Sequence, residues 1–326
     1  MNRCLVSFLA FLSCTGIAYS QPASDEKWPT RPVTLVVTFP AGSNTDFVAR
    51  ILARGLNNRL GVPFVIENRP GGVGAIGGRQ VATAKPDGYT FGIGGQTVYV
   101  PHPSVQATIG YAPDKDLISI ALLSRAPYLF AVNPSLPAKS ISELIALAKS
   151  KPGKLNYSSA GAGSTAHVGM VVFSKMTGVE MAHISYKSTA QSIVDVASGV
   201  IDLQLATIAP ALPLYVDKKV RVIAVTDRKR FELMPEVPTA HESGLPDFEL
   251  SVWTAMFAPA GTPARIIDRL SHEINEILSA PESQKLFAQQ GLTFEPGTPT
   301  AATAFIRKKN QAYVEIIREI PELQQR

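Results

Sequence analysis

Two loops of this chain combine glycine with hydroxyl side chains immediately before an apolar helical pattern. The first, FPAGSNTD at residues 39–46, follows a β-branched strand pattern at residues 33–37, and the second, YSSAGAGSTAH, covers residues 157–167. Unpaired backbone N–H groups at a helix start lie at the positive end of the helix dipole, where they favour a carboxylate or phosphate. The hydroxyls of Ser43 and Thr45 add further donors. We therefore predict two anion-binding loops that face one ligand.

The candidate ligand-binding residues lie where predicted strands end and predicted helices begin. They are Phe39, Gly42, Ser43, Asn44, Thr45, Asp46, Gly94, Gln96, Ser159, Gly161, Gly163, Ser164, Thr165, His167, Tyr186, Ser188, Thr189, Ala190 and Thr207. Ser164 and Thr165 are either plain helix caps or caps that also donate to a ligand oxygen. Asp46 is either a ligand contact or a helix-start acid that favours the dipole. His167 either raises anion affinity below neutral pH or is a first-turn surface histidine.

Two other interpretations of the glycine loops, a serine-hydrolase site and a dinucleotide-binding site, have less support than anion binding. Ser164 and His167 lie three residues apart, but the sequence has no GxSxG elbow and places no orienting acid, so a serine hydrolase is disfavoured. Gly72, Gly74 and Gly77 spell GxGxxG, yet three residues separate them from the preceding strand, which argues against a dinucleotide site. These glycines either allow a tight turn only or also approach the ligand.

Aromatic residues near strand ends supply candidate pocket walls. Phe39, Tyr99, Tyr186 and Trp253 fit that role, and core packing explains each of them equally well. The histidines show no metal-ligand spacing, so no metal and no cofactor is predicted. They are His102, His167, His183, His241 and His272.

The N-terminus has the pattern of an export signal. Arg3 is the only charge in the first 20 residues, an apolar run covers residues 5–12, and Ala-Tyr-Ser at 18–20 forms a cleavage site. Both cysteines, Cys4 and Cys14, lie inside this segment, so the mature chain is expected to contain no thiol. Lipidation of Cys14 is the alternative to cleavage near Ser20.

Composition indicates a compact globular protein with a mild positive charge. Charged residues make up 17% of the chain and hydrophobic residues 45%, which disfavours disordered tails. The net charge of +5 is spread over the chain, apart from the short basic runs at residues 218–221 and 228–230. These runs are interpreted as solvated faces, and no nucleic acid is expected as a partner. A mild positive charge suits acidic small molecules.

Strand and helix patterns alternate along most of the chain. Strands are predicted at residues 33–39, 63–67, 89–94, 117–123, 128–132, 155–158, 181–186, 200–205, 220–225 and 249–257. Helices of ten to sixteen residues between strands indicate an α/β protein with parallel-rich sheets flanked by helices. Ligands bind such sheets at the carboxyl ends of the strands. From Pro263 onward the pattern is helical, and these helices are interpreted as a buttress on one domain.

A length of 326 residues favours two domains. The strand at 117–123 is expected to leave the first domain, and the strand at 220–225 is expected to return to it. The predicted bounds are 1–20 for the signal peptide, 28–125 for the first part of domain 1, 126–226 for domain 2, and 227–326 for the second part of domain 1.

Eight motifs in fixed order, from about Trp28 to the C-terminus, resemble the substrate-binding proteins of tripartite tricarboxylate transporters, also called the Bug family. They are WPTRPVTLVVTFPAGSNTD, VIENRPGGVGAIGG, ATAKPDGYTF, LPAKSISELIALAKSKPGKLNYSSAGAGSTAHV, AHISYKS, VRVIAVTDRKR, MPEVPTAHESG and FAPAGTPARI. The chain departs from the family pattern at Ser43, where a second glycine is usual, and at Ser188, where glycine is common after Tyr186 and Lys187. These departures bear on the ligand and not on the fold.

The resemblance implies a two-domain periplasmic-binding-protein fold, a type II-like flytrap with a hinge of two strands. It implies a periplasmic solute-binding protein without catalysis, which captures a carboxylate and delivers it to the membrane components of a transporter. Known family ligands include tricarboxylates, dicarboxylates, acidic amino acids and aromatic carboxylates. A monomer is expected. An exported enzyme acting on an organic acid and a ligand-sensing adaptor for a receptor are the alternatives.

Overall fold

The computed structural model describes residues 27–99 and 109–319. The predicted signal peptide, with Cys4, Cys14 and the cleavage site, lies outside the described residues. All ten predicted strands are present, with shifted ends. They are β1 (Val33–Val37), β2 (Phe64–Asn68), β3 (Thr90–Gly94), β4 (Leu117–Pro127), β5 (Leu129–Val132), β6 (Asn156–Ser159), β7 (Ala182–Ser185), β8 (Leu203–Ala206), β9 (Arg221–Val225) and β10 (Ser251–Pro259).

The helices alternate with these strands and then close the chain. They are α1 (Asn44–Leu60), α2 (Ala75–Ala82), α3 (Gln96–Tyr99), α4 (Pro113–Asp116), α5 (Ile141–Ser150), α6 (Thr165–Thr177), α7 (Thr189–Ser198), α8 (Ile208–Val216), α9 (Ala264–Ser279), α10 (Pro281–Gln289) and α11 (Pro299–Glu319), with a 3-10 turn at Gly72–Gly74. In the described part of the chain, no helix combines the length and the apolar character that crossing a bilayer requires.

Each of the two mixed sheets has five strands. The first has the order β2-β1-β3-β10-β4, in which β1 is parallel to β2 and β3 while β10 is antiparallel to both of its neighbours. Val33, Leu35 and Val37 pack into one core cluster and Val36 into another. This alternation is the pattern of a strand covered on both faces.

The second sheet has the order β7-β6-β8-β5-β9. Strand β6 is parallel to β7 and β8, whereas β5 is antiparallel to β8 and β9. Two α/β units with mixed sheets and flanking helices therefore form the molecule, as the sequence predicted.

The strand that returns to the first sheet is β10 and not β9. Because β9 pairs with β5, the expectation that residues 220–225 lead back to the first domain is wrong. Strand β10 runs antiparallel to β4 from Ser251 opposite Pro127 to Pro259 opposite Leu117. The segment between β9 and β10 packs in the core of the second sheet through Ala240, Leu245 and Phe248. We therefore propose that the second domain extends to about residue 250.

The last helix contacts both units, so the interpretation of the C-terminal helices as a buttress on one domain is incomplete. Helix α11 packs along β4 of the first sheet. Farther along the same helix, Tyr313 and Ile317 share an apolar cluster with Val168 of α6. Such contacts between distant segments leave no periodic signal in the sequence.

Candidate ligand-binding cleft

A cleft of about 590 Å³ lies at the carboxyl ends of strands from both sheets. Twelve of the predicted site residues line it: Phe39, Gly42, Ser43, Asn44, Thr45, Gln96, Ser164, Thr165, Ser188, Thr189, Ala190 and Thr207. They follow β1 and β3 of the first sheet and β6, β7 and β8 of the second. This is the location that the α/β architecture favours for a ligand.

Four of the helices that begin at this cleft have a serine or threonine as their N-cap. Their N-cap residues are Ser43 for α1, Ser164 for α6, Ser188 for α7 and Thr207 for α8, and all four line it. The helices contain 17, 13, 10 and 9 residues, so each carries a substantial dipole with its positive end toward the cleft. The first-turn N–H groups and the dipoles together favour an anion.

The three serine caps use their oxygens in the same way. Ser43 Oγ accepts from the backbone N–H of Asp46 at 3.3 Å, Ser164 Oγ from that of His167 at 3.3 Å, and Ser188 Oγ from that of Gln191 at 3.2 Å. Each hydroxyl hydrogen is then available as a donor. Ser43 and Ser188, the two departures from the family pattern, are therefore both helix caps on the cleft wall.

Lys187 is the one charged side chain among the described residues that line the cleft. The predicted ligand contact Asp46 does not line it. Its buried carboxylate accepts from the Gly42 N–H at 3.0 Å, from Asn68 at 3.0 Å and from Arg50 at 2.9 Å. Burial raises the pKa of Asp46, but the bonds from Arg50, Gly42 and Asn68 outweigh it and lower the pKa below its ordinary value. Asp46 is therefore a helix-start acid, and its bond from the Gly42 N–H stabilises the first loop.

The remaining predicted residues that do not line the cleft are Gly94, Ser159, Gly161, Gly163, His167 and Tyr186. Ser159, Gly163 and His167 instead form hydrogen bonds within or next to the second loop. The Gly163 N–H donates to Nδ1 of His167 at 3.1 Å, and the Ser159 hydroxyl lies 2.7 Å from Nε2 of His183. The two imidazole rings stack with centroids 4.1 Å apart. Burial lowers the pKa of His183.

Tyr186 and Gly94 are structural for different reasons. The Tyr186 phenol donates to Asp195 at 2.6 Å, and this bond, together with desolvation, raises the pKa of Tyr186 to about 12. Gly94 is surrounded by packed side chains, since a Cβ there would lie 2.7 Å from Thr38 Oγ1 and 2.8 Å from Val98. Neither residue presents a side-chain group to the cleft.

The glycine turn before α2 lines the cleft, which favours the interpretation in which its glycines approach the ligand. Four consecutive residues there have positive φ: Gly71 at 123°, Gly72 at 54°, Val73 at 54° and Gly74 at 99°. Positive φ is rare for a β-branched residue such as Val73, and strain of this kind concentrates at functional sites. The Val73 carbonyl accepts a hydrogen bond from Thr97.

Sequence reasoning missed several wall residues. Thr38, Thr97, Tyr128 and Val252 line the cleft, and of the aromatic candidates Phe39 and Trp253 also do. Gln96 lines it too, but its amide is engaged: Oε1 accepts from Trp253 at 3.1 Å and Nε2 donates to Asn310 at 2.8 Å. Of the missed residues, Tyr128 lies at the junction of β4 and β5, a position that could have indicated it.

Among the described residues, no three His, Cys, Asp or Glu side chains are grouped so as to hold a metal ion. The site is thus built from neutral donors, helix starts and one lysine. Neutral donors stabilise an anion without requiring a buried counter-charge, and their bonds to charged groups are strong in a water-excluded site.

The sequence profile of the family described as "Tripartite tricarboxylate transporter family receptor" matches residues 48–321. This chain belongs to that receptor family. The protein BugT of Bordetella pertussis is 33% identical to the receptor over 320 residues, which is 98% of each chain. The family consists of periplasmic solute-binding receptors and not of enzymes.

Two solved structures show what related receptors bind. The R. palustris protein Rpa4515 with adipate has a TM-score of 0.85 and 34% identity, covering 89% of this receptor and 97% of its own chain. MatC of Rhodopseudomonas palustris with bound malate has a TM-score of 0.82 and 28% identity, covering 89% of this receptor and 100% of its own chain. The family assignment and the fold predicted from the sequence are confirmed.

Proposed function

We propose that this receptor captures an organic acid anion, a di- or tricarboxylate or an aromatic carboxylate, between its two domains. The observation that carries the proposal is the convergence of four helix N-termini on one cleft. Adipate and malate, the acids in the related structures, support a carboxylate as the chemical class. The cleft contributes binding and no catalysis.

The captured anion is then delivered to the membrane components of a tripartite tricarboxylate transporter. We propose that the mature protein is a periplasmic monomer whose signal peptide is cleaved near Ser20. An intact mass that matches a chain beginning at Gln21 supports this maturation, whereas a diacylglyceryl adduct on Cys14 contradicts it.

Ligand identity can be tested on protein purified from its host without denaturation. Mass spectrometry of the small molecules released by unfolding is expected to identify a carboxylate at one equivalent per chain. Isothermal titration with that acid then measures its affinity. A neutral or cationic molecule at one equivalent, or stoichiometric conversion of the acid into a product, overturns the proposal.

Delivery needs a separate test in cells. Uptake of the identified acid, isotopically labelled, is expected to require both this receptor and its cognate membrane components. A strain that lacks only the receptor is expected to recover uptake when the receptor gene is restored. Unchanged uptake without the receptor, combined with ligand-dependent capture of a sensor protein, favours the adaptor alternative.

A further inference from the structure

We infer that a basic cluster at the junction of the two units docks an acidic segment of the receptor's membrane partner. This junction cluster consists of Arg125, Arg228 and Lys309 around the carboxylate of Glu249. None of the four residues lines the cleft. The inference rests on the proposed delivery of the anion to membrane components, and it names the surface of the receptor that those components contact.

The fold assembles the junction cluster from four separate segments. Arg125 lies on β4, Arg228 follows β9, Glu249 precedes β10 and Lys309 lies on α11. The Arg228 Nε donates to Oε2 of Glu249 at 3.0 Å, and the Lys309 Nζ lies 3.9 Å from Oε1. Arg228 begins the basic run at residues 228–230, for which the sequence alone predicts a solvated face. In the structure this run meets cations from elsewhere in the chain.

Arg125 and Lys309 also border the same aromatic ring. The guanidinium carbon of Arg125 lies 5.3 Å from the ring centroid of Phe305, and the Lys309 Nζ lies 5.9 Å from it. The bond from Arg228 is the largest effect on the pKa of Glu249 and lowers it, whereas desolvation raises it. The nearby charges of Lys309 and Arg125 lower this pKa further. All three cations therefore act on one carboxylate.

Glu249 does not neutralise the junction cluster. Three cations face one carboxylate, so a positive charge of two remains. The residues on either side of Arg228, Asp227 and Lys229, have opposite charges and leave this balance unchanged. Arg125 forms no salt bridge among the described residues, and its buried Nε has no hydrogen-bond partner there. A carboxylate from another molecule would pair a charge that the described part of this chain leaves unpaired.

An acidic protein segment fits this surface better than an anionic lipid layer. The Arg228 side chain is 66% exposed, and a guanidinium can bind a carboxylate through two parallel hydrogen bonds. Arg125 and Lys309 belong to elements of the first unit and Arg228 follows the second sheet, so the fold sets the spacing of the cations. Charge-based lipid binding typically uses clusters of about four to eight basic residues, more than are present here.

Charge reversal with a matched control tests the inference. Arg228→Glu places a second acid beside Glu249, and Arg228→Gln removes the charge without reversing it. Arg31→Glu is the control, because Arg31 is 59% exposed and pairs with a single carboxylate, that of Asp87, at 3.1 Å. Exposed ion pairs contribute little to stability, so all three variants are expected to fold. The measurement is binding of the mature receptor, loaded with the identified acid, to its detergent-solubilised membrane components at low and at physiological salt.

At low salt we expect R228E to bind the membrane components about tenfold more weakly than the wild type, R228Q to show a smaller loss, and R31E to stay within about twofold. The salt dependence should be weaker in R228E than in the wild type. Isothermal titration should give the same affinity for the acid in every variant. Equal binding of R228E and the wild type to the components, or loss of acid affinity in R228E, overturns the inference and leaves carboxylate capture intact.

Two further outcomes separate the inference from its alternatives. If the loaded wild type does not bind the membrane components at all, both the inference and the proposed delivery are overturned. Phosphatidylglycerol vesicles that contain no protein provide the lipid control. Binding of the wild type to these vesicles that is lost in R228E assigns the junction cluster to a lipid surface and overturns the acidic protein segment as its partner.

Discussion

The phenol of Tyr313 donates a 2.8 Å hydrogen bond to the carbonyl oxygen of Gly163. Tyr313 lies on α11, which packs on the first sheet, whereas Gly163 belongs to the second loop. One helical turn earlier, Asn310 accepts from Gln96 on the opposite wall of the cleft. One face of one helix therefore supports both sides of the cleft.

Tyr313→Phe keeps the ring between Val168 and Ile317 and removes only the hydroxyl. The buried Gly163 carbonyl then loses a donor, so we expect the free energy of unfolding to fall by about 1 to 3 kcal/mol. We also expect severalfold weaker ligand binding, because the second loop is less well fixed. Chemical denaturation and isothermal titration measure the two effects.

Tyr215→Phe is the matched control for this substitution. Its phenol donates to Glu236 near the end of α8 that lies away from the cleft. We expect it to leave ligand affinity unchanged. Equal loss of affinity in both variants would show that Tyr313 acts through global stability alone.

The two-loop arrangement predicts a preference for diacids. A diacid can place one carboxylate at the start of α1 and the other at the start of α6, which lie on opposite walls. A monoacid of similar size leaves one helix start to water, and we expect it to bind about tenfold to a hundredfold more weakly. Titration of matched pairs, with small-angle scattering to follow domain closure, is the measurement. Equal affinities, or diacid binding at an unchanged radius of gyration, contradict the two-ended arrangement.

Ser43→Gly separates ligand selection from folding. Glycine at an N-cap is only a few tenths of a kcal/mol less favourable than serine, so stability should barely change. Loss of the hydroxyl donor should weaken a preferred acid by about 1 to 2 kcal/mol and alter the order of a carboxylate panel. Ser140→Gly is the control, because Ser140 caps α5 with a 3.2 Å bond from Glu143 and does not line the cleft. If both variants rank the carboxylates of the panel in the same order of affinity, Ser43 does not contribute to ligand selection.

His183 should make stability depend on pH. Burial lowers its pKa in the folded protein, so below the unfolded-state pKa of about 6.5 the unfolded chain binds more protons than the folded one. Stability is therefore expected to fall as pH drops below about 6.5, with a slope of at most about 1.4 kcal/mol per pH unit from this residue. Denaturation of the wild type and of His183→Phe between pH 7.5 and 5.5 measures the slope, which should be smaller in the variant. His272→Phe, on the exposed side of α9, controls for loss of a histidine. If the free energy of unfolding depends on pH as weakly in H272F as in H183F, the pH dependence does not come from His183.

Local signals account for what the sequence predicted well. The β-branched run of β1 and the capping serines at 43, 164 and 188 act within a few residues of themselves, so their structures could be inferred from the chain alone. The left-handed Val73 could not, since its conformation opposes its own preference and depends on surrounding contacts. The pairing of β9 with β5 was missed because its apolar run fits either sheet equally well.

The position of β10 between β3 and β4 has a consequence for biogenesis. Until residue 251 emerges, β4 has no neighbouring strand in the first sheet and β3 has an open edge. The strands of the second sheet, by contrast, form one uninterrupted stretch from Leu129 to Val225. When the chain emerges from its N-terminus, all strands of the second sheet are therefore available before the last strand of the first sheet, β10, has emerged. We expect the second unit to fold first, with the first sheet assembled last around a strand that arrives late.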